Sequence, residues 1–124
     1  MRRIFGATLA LALCAPALAM DDPMAGFYGN TVVVTGDGFK AFVHYRADHT
    51  LDISGTASGQ QFSSKGTWKI DGKGQICRSY DKTPPTMPNP FCSPATPHKV
   101  GDSWTVTTPA GSRSVHVKAG VHIL

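Results

Sequence analysis

The sequence predicts an all-β fold: a single small antiparallel β-barrel, or a strongly curled sheet, of about eight short strands. Three observations predict it. From Asn30 onward no amphipathic helix of useful length can be drawn, and β-branched and aromatic runs are separated by Gly, Asp and Pro turns. The runs follow one another closely enough to be joined as hairpins. An even pair of cysteines, Cys77 and Cys92, lies among them, as expected of a disulfide that ties a small exported domain.

The elements follow in chain order. Thr31–Thr35 is a β-branched run that Gly36-Asp37-Gly38 turns back. Phe39 to Arg46 alternates, with Phe39, Ala41, Val43 and Tyr45 on one face. The next run holds Leu51 and Ile53, and the turn before it can be argued residue by residue. A two-residue loop at Ala47-Asp48 sets Leu51 beside His44 and Ile53 beside Phe42. A three-residue loop, Ala47-Asp48-His49, sets Leu51 opposite Tyr45 and Ile53 opposite Val43. Only the second gathers the apolar residues on one face, which a half-buried sheet requires. It also puts His49 at a left-handed position, which histidine tolerates better than most residues. Gln61 to Ile70 places Phe62, Ser64, Gly66, Trp68 and Ile70 on one face. Asp71-Gly72-Lys73-Gly74 turns the chain into Gln75–Tyr80. Ser103–Thr108 and Ser112–Ala119 are joined by Pro109-Ala110-Gly111, and Val121–Leu124 is expected to add a last short strand.

The segment Lys82 to Lys99 breaks the pattern. Between Thr83 and Pro97 stand Pro84, Pro85, Pro88, Pro90, Pro94 and Pro97, which is incompatible with a central strand. With Cys92 tied to Cys77, residues 82–99 are expected to form a semi-rigid flap. The flap has two uses to weigh: a cover for an open sheet edge or barrel mouth, or a recognition loop for another protein built on Pro84, Pro85, Met87, Pro90 and Phe91.

Residues 1–19 have the three parts of a secretory signal peptide. Met1-Arg2-Arg3 is the positive start, Ile4–Leu13 the short apolar run, and Ala15-Pro16-Ala17-Leu18-Ala19 the small-residue cleavage site, with the cut expected after Ala19. The apolar run is too short for a spanning helix, which needs roughly 20 residues. A periplasmic or secreted location follows, with a short N-terminal segment at 20–29 and the barrel-like domain at 30–124. Cys14 leaves with the leader. The chain's formal charge of +4 owes half its value to Arg2 and Arg3. No Lys/Arg cluster remains, so nucleic-acid binding has no footprint here. No later apolar run is long enough to span a bilayer. A monomer or weak homodimer is expected.

Gly66-Thr67-Trp68-Lys69-Ile70-Asp71-Gly72, followed by Gln75-Ile76-Cys77, resembles a pattern in small exported bacterial proteins of uncharacterised families. The resemblance covers about half of the mature chain and implies a lipocalin-like (calycin-type) barrel. In lipocalins proper the Gly-x-Trp lies on the first strand, whereas here it is mid-chain, so no binding residue is carried over.

Dinucleotide, P-loop, zincin and nucleophile-elbow motifs are all absent. Asp37, Asp48, Asp71 and Asp102 read as turn aspartates. No metal site is expected. His116 and His122 share the polar side of one run, six residues and roughly 20 Å apart, too far for bonds of about 2 Å to one ion. No cofactor is implied. The constellation that carries chemistry is Trp68 and Arg78 on adjacent strands, with Tyr45 and Tyr80 nearby. Either Arg78 is a structural lid over Trp68, or Trp68, Arg78, Tyr45 and Tyr80 line an anionic ligand site. Three functions are therefore carried forward. The first is a non-enzymatic binding module for a small amphiphilic or anionic ligand, which predicts an open cavity with converging polar groups. The second is a protein-interaction or enzyme-inhibitor module presenting residues 83–91 to an envelope partner, which predicts a filled barrel and an exposed loop. The third is a small hydrolase or isomerase, which predicts a titratable pair in a cleft.

Overall fold

The computed structural model describes residues 22–123. The leader at 1–19, Cys14 and Leu124 lie outside the described residues. Eight antiparallel strands form one nearly closed barrel. They are β1 (Thr31–Gly36), β2 (Phe39–Tyr45), β3 (Thr50–Ala57), β4 (Gln60–Ile70), β5 (Gln75–Tyr80), β6 (Phe91–Pro94), β7 (Ser103–Thr108) and β8 (Gly111–Lys118). Their order around the barrel is β6-β5-β4-β3-β2-β1-β8-β7, so β6 and β7 are the two edges that flank the remaining gap. Eight strands enclose a space just wide enough for side chains or one small ligand.

Alternation decides what faces inward. β3 is buried at every second residue, Leu51, Ile53, Gly55 and Ala57. Tyr45 stands opposite Leu51 and Val43 opposite Ile53, the three-residue register expected of this turn. Arg46 N donates to Thr50 O (3.0 Å), His49 N donates to Arg46 O (3.0 Å), and His49 has φ +70°. Burying residues such as Leu51 and Ile53 contributes about 1.5–3 kcal/mol each. On β8 the buried residues are Arg113, Val115 and Val117. Tight coiling depends on Gly55 and Gly66. A Cβ on Gly55 would collide with the backbone of Lys40, and one on Gly66 with that of Ser79.

Two elements differ from the sequence reading. Val121–Ile123 form no strand. At Gly120 (φ +81°) the chain leaves the β8 ladder, and side chains then hold the tail. Thr31 Oγ1 donates to Gly120 O (2.8 Å) and accepts from His122 N (2.8 Å). The eighth strand is instead β6, inside the Pro-rich segment. It is an edge strand that pairs only with β5, so its one proline, Pro94, costs few ladder bonds. Cys92 lies directly opposite Cys77, and the two are disulfide-bonded. The N-terminal segment also joins the core. A short 3₁₀ turn, Ala25–Phe27, sets Met24 (1% exposed) and Phe27 (6%) into one end of the barrel. No helix among the described residues is long and apolar enough to cross a membrane.

Candidate ligand cavity

The barrel is not filled. Its interior holds a cavity of about 590 Å³, within the range of small-ligand sites. The walls are largely apolar: Val32 and Val34 from β1, Val43 from β2, Ile53 from β3, and Val115 from β8. At β6 and β7 consecutive residues border the space, Cys92, Ser93 and Pro94 on one side and Thr105, Val106, Thr107 and Thr108 on the other. Neighbouring strand residues point to opposite faces. Both can border one cavity only at a strand margin, so the opening lies along the gap between the two edges.

Two guanidinium groups reach this apolar space. Arg78 projects from β5, and its Nε donates to the Tyr45 hydroxyl at 2.7 Å. Its Nη1 makes a longer contact to the Phe91 carbonyl (3.3 Å), and the group lies 5.0 Å from the centre of the Phe91 ring. Arg113 projects from β8, is 7% exposed, and lies 4.7 Å from the centre of the Phe39 ring. Its Nη2 donates to Thr86 Oγ1 (3.2 Å). Neither arginine has a carboxylate partner among the described residues, whose ion pairs are His44–Asp52, Arg46–Asp52 and His98–Asp102. No aspartate lines the cavity. Burial pushes the Tyr80 phenol well above its usual range, the neighbouring Tyr45 adds to this, and Arg78 opposes it. Tyr80 therefore stays protonated and offers a hydroxyl donor.

Of the residues singled out from sequence, Tyr45, Arg78 and Tyr80 line the cavity. Trp68 stands opposite Arg78 in the ladder but is not part of the lining. Its indole donates to Arg46 O (3.0 Å) and stacks on His49, ring centres 4.0 Å apart. Arg78 turns instead to the Tyr45 and Phe91 rings, so the expected lid over Trp68 is formed by His49. Trp68 secures one end of the barrel rather than touching the cavity.

The flap residues divide. Pro84 is fully buried, and Met87 and Phe91 line the cavity. Pro85 is half-buried and Pro90 exposed. Asn89 ties the flap to β5 by accepting from Tyr80 N (3.0 Å) and donating to Tyr80 O (2.9 Å). Lys82 N donates to Ser64 Oγ (3.0 Å).

Arg113, Trp104 and His98 are among the lining residues with no counterpart in the sequence reading. Arg113 carried a usable signal, since stepping back from Val117 and Val115 along the same alternation reaches it. Trp104 carried a similar one on β7. His98 did not, because it sits in a loop. Its ring lies flat on Trp104, 3.4 Å between centres, with Nδ1 3.3 Å from Asp102 Oδ2. Among the described residues no three His, Cys, Asp or Glu side chains gather where they could hold a metal ion.

The arrangement defines a nearly closed antiparallel barrel whose largely apolar cavity is lined by two arginines. No protein-family model matches the chain, and neither the curated proteins nor the solved structures include a match to it.

Proposed function

We propose that the protein is a non-enzymatic, exported binding module, lipocalin-like in its use of the barrel, that holds a small anionic amphiphile. One observation carries this reading: Arg78 and Arg113 both face an apolar cavity that contains no carboxylate. A guanidinium keeps its charge at any physiological pH. An unpaired charge facing an apolar interior costs several kcal/mol, and a bound anion would offset much of that. The protonated Tyr80 adds a donor suited to an anionic head group. The apolar walls suit a hydrocarbon body.

The flap serves this function as a cover. Its apolar residues Pro84, Met87 and Phe91 turn inward, and Thr86 meets Arg113, which leaves Pro85 and Pro90 as a small outward surface for a protein partner. The hydrolase or isomerase reading has less support, because the His–Asp pair at the lining, His98 with Asp102, makes no hydrogen bond to a serine, threonine or cysteine side chain among the described residues. The test is native mass spectrometry of the protein taken gently from its source compartment. A retained small molecule is expected, lost on denaturation and absent from a doubly substituted Arg78→Gln, Arg113→Gln form. A bare mass in the parent, or a co-purifying protein in place of a small molecule, would overturn the reading.

A further inference from the structure

The two guanidinium groups are anchored at opposite ends of one strand. Arg78 is held at Tyr45 and Arg113 at Phe39, with guanidinium-to-ring distances of 5.7 and 4.7 Å. Phe39 and Tyr45 are the first and last residues of β2 and share its inner face. Six strand residues at about 3.3 Å each put their backbones roughly 20 Å apart. Between those ends the cavity is bordered by partly exposed apolar side chains, Val34 of β1, whose backbone lies opposite Ala41, and Trp104 of β7. The interior is thus a cationic pole at each end of an apolar floor.

Each pole also keeps donors in reserve. Arg78 uses Nε on Tyr45 and Nη1 on backbone carbonyls, while its Nη2 makes no hydrogen bond among the described residues. Arg113 uses Nη2 on Thr86 and has only a long Nη1 contact to Ser112 O (3.5 Å), which leaves its Nε without a partner among the described residues. A guanidinium has five N–H donors in a fork suited to a carboxylate or phosphate. Each guanidinium therefore keeps at least one N–H donor for such a group.

Resting on the proposed binding function, we infer that the ligand is two-headed: an unbranched apolar chain with an anionic group at each end, spanning the cavity with one head at Arg78 and the other at Arg113. A single-headed amphiphile would leave one guanidinium without a counter-charge. A compact dianion would leave the apolar floor uncovered.

The experiment uses protein stripped of bound small molecules and titrated calorimetrically. The probes are alkane α,ω-dicarboxylates of increasing length and the monocarboxylates of matching length, with alkane α,ω-bisphosphonates and monophosphonates as a parallel series. In at least one series the two-headed probe should bind about tenfold or more tightly than its one-headed match, since a hydrogen-bonded charged contact commonly contributes that much. The preference should peak at one chain length. It should disappear in Arg78→Gln and in Arg113→Gln, whose folding is checked by circular dichroism. The series with the larger preference identifies the head group. Equal affinity for one-headed and two-headed probes in both series overturns the two-headed inference and leaves the binding function standing. No binding of any probe overturns both.

Discussion

At the turn between β2 and β3, His49 is a non-glycine residue in the left-handed region, φ +70°, and its exposed ring stacks on Trp68 at 4.0 Å. From sequence alone His49→Gly is expected to be neutral or mildly stabilising, because only the backbone strain is in view. The stack changes the balance. A left-handed residue other than glycine costs about 1–2 kcal/mol. Glycine gives back about 0.4–1 kcal/mol through the greater freedom of the unfolded chain. An aromatic stack contributes about 0.5–1.5 kcal/mol. His49→Gly therefore trades strain relief against the lost stack and should melt close to the parent. His49→Ala loses the stack and keeps the strain. Gly and Ala both lack the ring, so the difference between them isolates the backbone. Glycine should be the more stable of the two by about 0.5–1 kcal/mol, or about 3–6 °C in a domain of this size. Thermal melts followed by circular dichroism measure this directly. An alanine variant that melts at or above the glycine variant would show that the left-handed turn, and the register built on it, is wrong.

Three further outcomes follow from the same structure. The Cys77–Cys92 bond closes a loop of about 16 residues and should contribute roughly 3 kcal/mol; the double Cys→Ser variant should melt well below the parent, and an unchanged melt would contradict this. Replacing residues 84–90 with a Gly/Ser linker removes buried Pro84 and the inward Met87, so it should lower both the melting temperature and ligand affinity; a variant that keeps both but loses a specific protein partner would make the flap a recognition element. Asp48, Asp71 and Asp102 are held below the usual carboxylate range, chiefly by hydrogen bonds from the Thr50 side chain, the Gln75 backbone and the Lys99 backbone respectively. Their ionised forms thus favour the folded state. That contribution is full above the ordinary value of about 3.9 and is lost as pH falls through the lower folded values. Melts should hold steady from neutral pH to about pH 5 and decline below about pH 4, and a plateau that continues to about pH 2 would contradict the assignment.

The barrel was legible wherever alternation was strong. At the Arg46–Thr50 turn, Val43, Tyr45, Leu51 and Ile53 admit one register that buries them together, and that register is present. β6 was hidden because it is four residues long and set among prolines; its only sequence signal was Cys92 facing Cys77. The tail was misread because Val121 and Ile123 continue the alternation of β8, while Gly120 turns the chain away from it. Met24 and Phe27 had no period to betray them, since a single 3₁₀ turn carries both.

Half of the cationic interior was legible in the same way. Arg78 was found through its cross-strand place beside Trp68. Arg113 was missed because on β8 the reading followed the polar partners of Val115 and Val117, not the valines' own face. Trp68 shows where such reasoning runs out. The ladder puts Trp68 and Arg78 side by side, but their side chains diverge. The indole leans to the Arg46 carbonyl and His49, and the guanidinium leans to the Tyr45 hydroxyl. Cross-strand register determines which backbones are neighbours, and the hydrogen-bond partners further along each side chain decide where its end goes.

The proposed function requires the barrel interior to bind an amphiphile through its charge. Calorimetric titration of the stripped protein with a long-chain carboxylate and with the alcohol of the same chain length tests it most directly. Saturable binding of the carboxylate is expected, with the alcohol weaker by about tenfold or more because it brings no counter-charge for Arg78 or Arg113. Equal affinity for the two, or no binding of either, would contradict it.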